Sequence, residues 1–211
     1  MYIPAPFQMP DTKAMIQFIR QNSFGILFSH VQGQPMATHL PLLFAAHEGE
    51  NGRLLGHFAR LNPHWTGLEG EEVLVVFPGP HAYISPSWYV EPQAVPTWNY
   101  VSVHVYGRCR IVQDEQQVIS ILREMVQYYE PHSDLPKHLD EAFYVQMAQA
   151  VVGFELGITA IEGKIKLSQN KSPETVRGVI KGLQTSGDCL AGEVAKLMQE
   201  QLQDIGKESH A

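Results

Sequence analysis

Apolar positions change their period soon after the chain begins. Ala14, Met15, Phe18 and Ile19 recur at helical spacing behind Asp11, a capping residue, and predict an amphipathic helix over roughly 12–22. Strand-like stretches follow, separated by turn residues. Residues 24–30 form the first, ended by Gln32-Gly33. Residues 36–45 form the second, in which Pro41 marks an edge or a bulge. Asn51-Gly52 is the clearest turn and leads into a strand at 53–58. Residues 73–77 are an unbroken apolar run, so both faces of that strand should be covered. A turn is expected at Gly79-Pro80, with a continuation at 82–85. In the long strand at 98–112, Val101, Val103 and Val105 alternate with Ser102, His104 and Tyr106. One face is then buried and the other chemically available.

Helical spacing returns behind Asp114. Val118, Ile121, Leu122, Met125 and Tyr129 mark one face, and Pro131 stops the helix. A shorter helix is expected over roughly 137–150. Residues 153–161 and 165–167 read as two closing strands around a turn at Glu162-Gly163. Ser172 caps a further helix with Pro173 at its first position, and residues 185–188 separate it from a last helix at about 190–203. About seven strands with interspersed helices, and no βαβ alternation, predict a mainly β fold closed partly by helices. The expected organisation is a barrel domain over 1–171 and a helical extension over 172–211, packed on the barrel or on a dimer partner.

Composition narrows the class. The 211 residues are 44% hydrophobic and 18% charged, enough apolar material for a core. Fifteen Lys and Arg against 22 Asp and Glu give a net charge of -7, which disfavours a broad nucleic-acid surface. No run approaches the ~18 apolar residues of a membrane span. Residues 1–10 lack the pattern of a signal peptide, and two cysteines, Cys109 and Cys189, make no disulfide framework. The expected compartment is the reducing cytoplasm.

Four stretches could carry chemistry. In residues 56–65, Asn62-Pro63 reads as a helix start whose free N–H groups could hold an anion beside Arg60. An ordinary strand-to-helix corner with a solvated Arg is the plainer reading of the same residues. In 37–42, Thr38 and His39 interrupt an apolar strand and could meet the edge of a flat ring, or be an edge histidine and its neighbour. Residues 79–89 and 95–100 pair prolines with aromatics, as a dimer contact, a cofactor lid or core packing would. In 164–171, Lys164 and Lys166 leave on one face and Lys171 follows, a patch that could neutralise phosphate or merely protect an edge strand. The ten histidines show no metal-ligand spacing, and there is no serine-hydrolase elbow, Walker loop or G-x-G-x-x-G motif.

Taken in order, ATHLPL, GHFARLNPHW, AYISPSWY with VPTWNYVSVHVYG, and KLSQNKS, after an opening MYIPAPF, resemble the PaiB family of FMN-binding negative transcriptional regulators. The resemblance runs from residue 1 to about 181. It implies a six-stranded antiparallel Greek-key split barrel, as in pyridoxamine-phosphate oxidases and flavin reductases. It also implies a homodimer with flavin mononucleotide (FMN) in clefts at the interface. By the same resemblance Arg60 and Asn62 stand where the phosphate is gripped, with His57 in the same stretch. Thr38, His39 and Leu40 would meet the ring and ribityl chain. Lys166, Gln169 and Asn170 would complete the site, and Trp88, Trp98 and Asn99 would line it from across the dimer. The family's regulatory label concerns sporulation and secreted degradative enzymes such as proteases.

Other functions compete. A flavin-dependent oxidoreductase would use the aromatic loops to shield the ring, although nothing here resembles the oxidases' substrate-binding residues and no catalytic residue is assigned. A haem-binding barrel would use His39, His57 or His104 as an axial ligand. Direct DNA binding through the last two helices is disfavoured, because Glu193 and Glu200 flank Lys196 on the second.

Overall fold

The computed structural model describes residues 1–46 and 51–208. Its helices are α1 (Thr12–Gln21), α2 (Glu115–Tyr129), α3 (Leu135–His138), α4 (Glu141–Ala150), α5 (Pro173–Thr185) and α6 (Cys189–Glu208). Side-chain caps set three of the starts. Asp114 accepts from Gln117 N at 3.0 Å, Asp140 from Phe143 N at 2.8 Å and Ser172 from Thr175 N at 3.2 Å. Each satisfies a first-turn N–H that the helix itself leaves without a partner. The helix expected over 137–150 is two pieces, because Leu139 is extended and Asp140 caps a new start.

The strands are β1 (Phe24–Val31), β2 (Gln34–Pro41), β3 (Leu43–Ala45), β4 (Arg53–Ala59), β5 (Glu72–Ile84), β6 (Thr97–Val112) and β7 (Val151–Lys166). They form one mainly antiparallel sheet in the order β2-β1-β5-β6-β7-β4-β3. The seven strands match the number read from the residues and exceed by one the six that the resemblance implies; the stretch over 36–45 divides into β2 and β3. Pro41 ends β2 opposite Phe24, and the N–H of Leu42 still donates to Ser23 O at 2.9 Å, the next step of the same pairing. The split has a topological consequence. β2 and β3 stand at opposite ends of the sheet order, yet one residue separates them in the chain. The sheet must curl so that its two ends come near each other without pairing, as in a split barrel.

Two expected turns are absent. β5 runs through Gly79-Pro80 and β7 runs through Glu162-Gly163. Gly33 and Gly52, where turns do occur, take positive φ of 77° and 76°. A tight hairpin needs that conformation, and a glycine in sequence offers it without compelling it.

The chain divides into two compact units. A strand unit, residues 12–77 with 104–162, holds α1–α4 and β1–β4. A helix unit, residues 1–11 and 78–103 with those from 163 onward, holds α5 and α6. β5, β6 and β7 run through both. Inside the strand unit Leu27, Leu42, Leu54, Phe58, Val75, Phe77 and Phe154 are fully buried. Gly56 lets them close, since a Cβ there would lie 2.6 Å from the Phe154 ring and 2.8 Å from Leu42. A second cluster joins Val118, Ile121, Leu122 and Met125 of α2 to Tyr144 and Ala148 of α4.

In the helix unit α5 and α6 bury Val176, Val179, Leu183, Val194, Ala195 and Met198. Trp88 lies against α5 where two glycines one turn apart leave room. A Cβ at Gly178 would meet the Trp88 carbonyl oxygen at 2.3 Å, and one at Gly182 the indole at 2.2 Å. Gly182→Ala should therefore lower stability by ~1–3 kcal/mol through overpacking, against the gain in helix propensity. Urea denaturation checks this, and an unchanged midpoint would refute the close approach of Trp88 to α5.

Candidate functional site

The strand unit places a buried polar relay at the head of the 56–65 stretch. His64 is 0% exposed. Its Nε2 lies 2.7 Å from Ser29 Oγ and its Nδ1 lies 2.7 Å from Thr38 Oγ1. Asn62 Nδ2 donates to Thr38 Oγ1 at 3.3 Å, while Asn62 Oδ1 accepts from His64 N at 3.0 Å. The partners fit a neutral ring, with the Thr38 hydroxyl donating to Nδ1 and Nε2–H donating to Ser29. This tautomer is assigned from the hydrogen-bond network. Burial lowers the His64 pKa, and Phe58 packs edge-on against the ring at 5.6 Å.

The anion cradle expected here takes another form. Pro63–Gly67 is a single 3-10 turn, and Asn62 already occupies its His64 N–H. Too few peptide dipoles align there to draw an anion. Arg60 points its guanidinium at the end of α4. Nε–H donates to Gln149 O at 2.7 Å, and Nη2 donates to Val151 O at 2.6 Å and Ala148 O at 3.4 Å. That is a favourable end of a helix for a cation, and it leaves Nη1 for any further acceptor. His57 is half-buried on β4, with its Nδ1 buried and without a hydrogen-bond partner, and burial lowers its pKa. His39 is exposed, its ring 6.0 Å from that of Phe24, and Leu40 belongs to the core.

The helix unit forms a cleft of about 270 Å³ around the KLSQNK motif. Lys166 and Lys171 line it, with Thr97, Asn99, Ser168 and Asn170 as further polar groups and Phe7, Tyr89 and Val95 as apolar ones. Lys166 Nζ donates to Thr97 Oγ1, and Lys171 Nζ stands 5.1 Å from the centre of the Tyr89 ring. Burial lowers the Lys166 pKa, Tyr100 opposes the shift and Lys164 adds to it. The loop is held from within. Asn99, 0% exposed, donates from Nδ2 to Ser168 Oγ at 3.0 Å and to Met198 Sδ at 3.5 Å. Ser168 takes the left-handed φ of 64°, rare for a residue with a side chain. Gln169 bonds Leu167 N at 2.7 Å and Ile165 O at 2.5 Å, so its amide fixes the loop.

The structure thus gathers Asn99, Lys166 and Asn170 of the expected set, and sets others apart. Lys164 is 8% exposed, donating to Tyr2 O at 3.2 Å with the Tyr100 ring 5.1 Å away, so the lysine face is covered by tyrosines. Trp88 is packed on α5. Trp98 is 53% exposed and lies 6.1 Å from each of Tyr83 and His81. Among the described residues, no three His, Cys, Asp or Glu gather as metal ligands.

Residues 1–160 match the family described as "Putative FMN-binding domain". The protease synthase and sporulation protein PAI 2 of Bacillus subtilis (strain 168) is 38% identical over 206 residues, covering 96% of this chain and 98% of that one. The chain belongs to the PaiB family of FMN-binding proteins. FMN is the cofactor that the family match assigns to it. Two solved structures share the fold. The flavocytochrome Anf3 of Azotobacter vinelandii superposes with a TM-score of 0.60 at 16% identity, over 76% of this chain and 69% of that one. The FAD and heme binding protein from Mycobacterium smegmatis gives 0.61 at 12% identity, over 81% of this chain and 78% of that one.

The lysine cleft suits the phosphate end of an FMN molecule. It offers two ammonium groups and several neutral polar groups, but its volume falls below the ~300–1,000 Å³ of pockets that enclose whole ligands. Sequence reasoning passed over His64, Ser29, Thr97 and Ser168 as site residues, while Lys171 stood in the lysine patch it offered to phosphate. Strand alternation was the available signal for some of them. Thr97 shares a strand face with Asn99, and Ser168 continues the two-residue spacing from Lys166.

Buried histidines tie stability to pH. His57, His64 and His104 all have folded pKa values below 6.5, each mainly through burial. Above 6.5 these rings are neutral in both states. As pH falls through 6.5 the unfolded chain takes up protons that the folded chain resists, so stability declines toward acid. Denaturation midpoints at pH 7.5 and 5.5 should show that decline. His64→Ala should lower the midpoint at pH 7.5, by ~2–4 kcal/mol, and flatten the dependence. A pH profile unchanged by the substitution would contradict the buried neutral ring.

Proposed function

We propose that this chain is an FMN-binding regulatory protein that acts as a homodimer in the cytoplasm and represses transcription affecting sporulation and protease synthesis. The observation that carries the flavin part is the pairing of Lys166 and Lys171 in one cleft with Thr97, Asn99, Ser168 and Asn170. Lys166 and Lys171 would hold the phosphate, and Phe7 and Tyr89 line the same cleft. Thr38, His39, Leu40, His57, Arg60, Asn62 and Trp98 are the further cofactor contacts that the family resemblance suggests. The bound flavin would supply a ring sensitive to redox state. The regulatory part rests on the printed name of the relative from Bacillus subtilis. No helix among the described residues is long and apolar enough to cross a membrane.

FMN fluorescence titration tests the cleft. Saturable binding is expected, with Lys166→Ala and Lys171→Ala each weakening it by ~10-fold, the worth of one charge-assisted hydrogen bond. Affinity should fall with rising pH from below the ordinary lysine value of 10.5, because the Lys166 ammonium loses its proton early. If Arg60→Ala abolishes binding while the lysine variants are neutral, the phosphate sits at the 56–65 stretch and the placement is wrong.

An exposed apolar sheet face supports the dimer. Phe24 is 59% and Phe28 38% exposed on β1, and the ladder sets Ile26 beside Val76 and Phe28 beside Leu74 of β5. Apolar patches of this kind mark association surfaces. Phe28→Glu should shift the protein to a monomer in small-angle scattering, with the fold retained by circular dichroism. A variant that stays dimeric would move the interface elsewhere.

A further inference from the structure

Three guanidiniums of the strand unit border an open cleft of about 360 Å³ that Gly70 and Gly157 also line. Arg53 opens β4, while Arg108 and Arg110 stand two apart on β6 and so share a face of that strand. Gly157 of β7 lies opposite Arg53 in the ladder. A Cβ added at Gly157 would meet only the Arg108 carbonyl oxygen, at 3.9 Å, and one added at Gly70 would meet nothing within 4 Å. Neither glycine brings a side chain into the cleft.

Its described lining residues carry more arginine than glutamate, Arg53, Arg108 and Arg110 against Glu69 and Glu155, in a chain of net charge -7. Glu155 is clamped between Arg53 Nη1 at 3.3 Å and Arg110 Nη2 at 2.7 Å. Arg108 Nη1 donates to Gly70 O at 2.8 Å, and Glu69 Oε2 accepts from Ile111 N at 2.7 Å. Cys109 adds no negative charge to the wall, since burial, and then Glu69, push its thiol up to about 12. Among the described residues Arg108 makes no ion pair with a carboxylate, and the Arg110 side chain is 52% exposed. An added ligand must bring negative charge and several acceptors. Planar guanidinium forks match phosphate oxygens two at a time.

We propose that this cleft is a second anion site, binding the phosphate group of a small organic phosphate through Arg108 and Arg110. The cleft is larger than a phosphate alone, so the organic part has room beside Gly157. The site is separate in residues and in chemistry from the lysine cleft proposed for FMN.

Calorimetric titration of the full chain with inorganic pyrophosphate tests this, with and without saturating FMN. Saturable binding that persists with FMN present is expected. Arg108→Gln with Arg110→Gln should weaken it at least ~10-fold. Gly157→Val, which adds a side chain to the cleft lining without changing charge, should weaken it as well, while FMN affinity and the melting temperature stay near those of the wild type. If the double variant fails to fold, Gly157→Val alone decides. No saturable heat would overturn the proposal. So would competition by FMN together with loss of binding in Lys166→Ala, because the anion would then occupy the lysine cleft. Binding unaffected by any arginine-cleft variant would overturn it too.

Discussion

One residue joins the two ends of the sheet. Pro41 closes β2 opposite Phe24 of β1, and Leu42, fully buried, carries the chain to the far end of the sheet. A flat sheet could not accommodate that step, since one residue spans only ~3.3–3.6 Å. The curl that follows creates an interior where Leu42, Leu54, Phe58 and Phe154 meet. Gly25 and Gly56 supply the space, because a side chain at either would press on Leu42.

The same curl lets a polar group live inside an apolar core. Ser29 of β1, Thr38 of β2 and His64 of the 3-10 turn come from three separate segments, and each ring nitrogen of His64 finds a hydroxyl. A buried imidazole without partners would cost ~1–3 kcal/mol for each lost bond. Asn62 links the turn to the network from both sides, holding Thr38 through its amide and His64 through its backbone. Arg60, the residue that sequence logic offers most readily to an anion, is drawn to the carbonyls that end α4. Structural and binding uses of one guanidinium compete for the same donors.

Charge in this chain is local. An overall excess of acid coexists with two basic clefts, one of ammonium groups around a left-handed serine and one of guanidiniums beside glycine. The difference matters chemically. Lysine is a compact charge on a flexible stem, and its proton becomes easier to lose when buried, as at Lys166. Arginine stays charged and recognises the shape of an oxyanion as well as its sign. Net charge therefore says little about which small anions the protein holds.

Much of the fold was legible in the sequence. Asp114 and Ser172 announced their helices, Gly33 and Gly52 their turns, and the alternation of Val101, Val103 and Val105 its strand, because caps, turns and strand faces are set within a few residues. The ordered motifs also carried the family and its flavin. Tertiary structure decided what depends on neighbours distant in the chain. Gly79-Pro80 and Glu162-Gly163 stayed extended because long strands pair through them, and the stretch over 36–45 divided after Pro41 into β2 and β3. It also decided that Gln169 serves its own loop, that Trp88 fills a groove on α5, and that Asn99 and Lys166 share a cleft. Spacing in sequence fixes which face of an element a residue occupies, whereas only packing fixes what stands opposite that face.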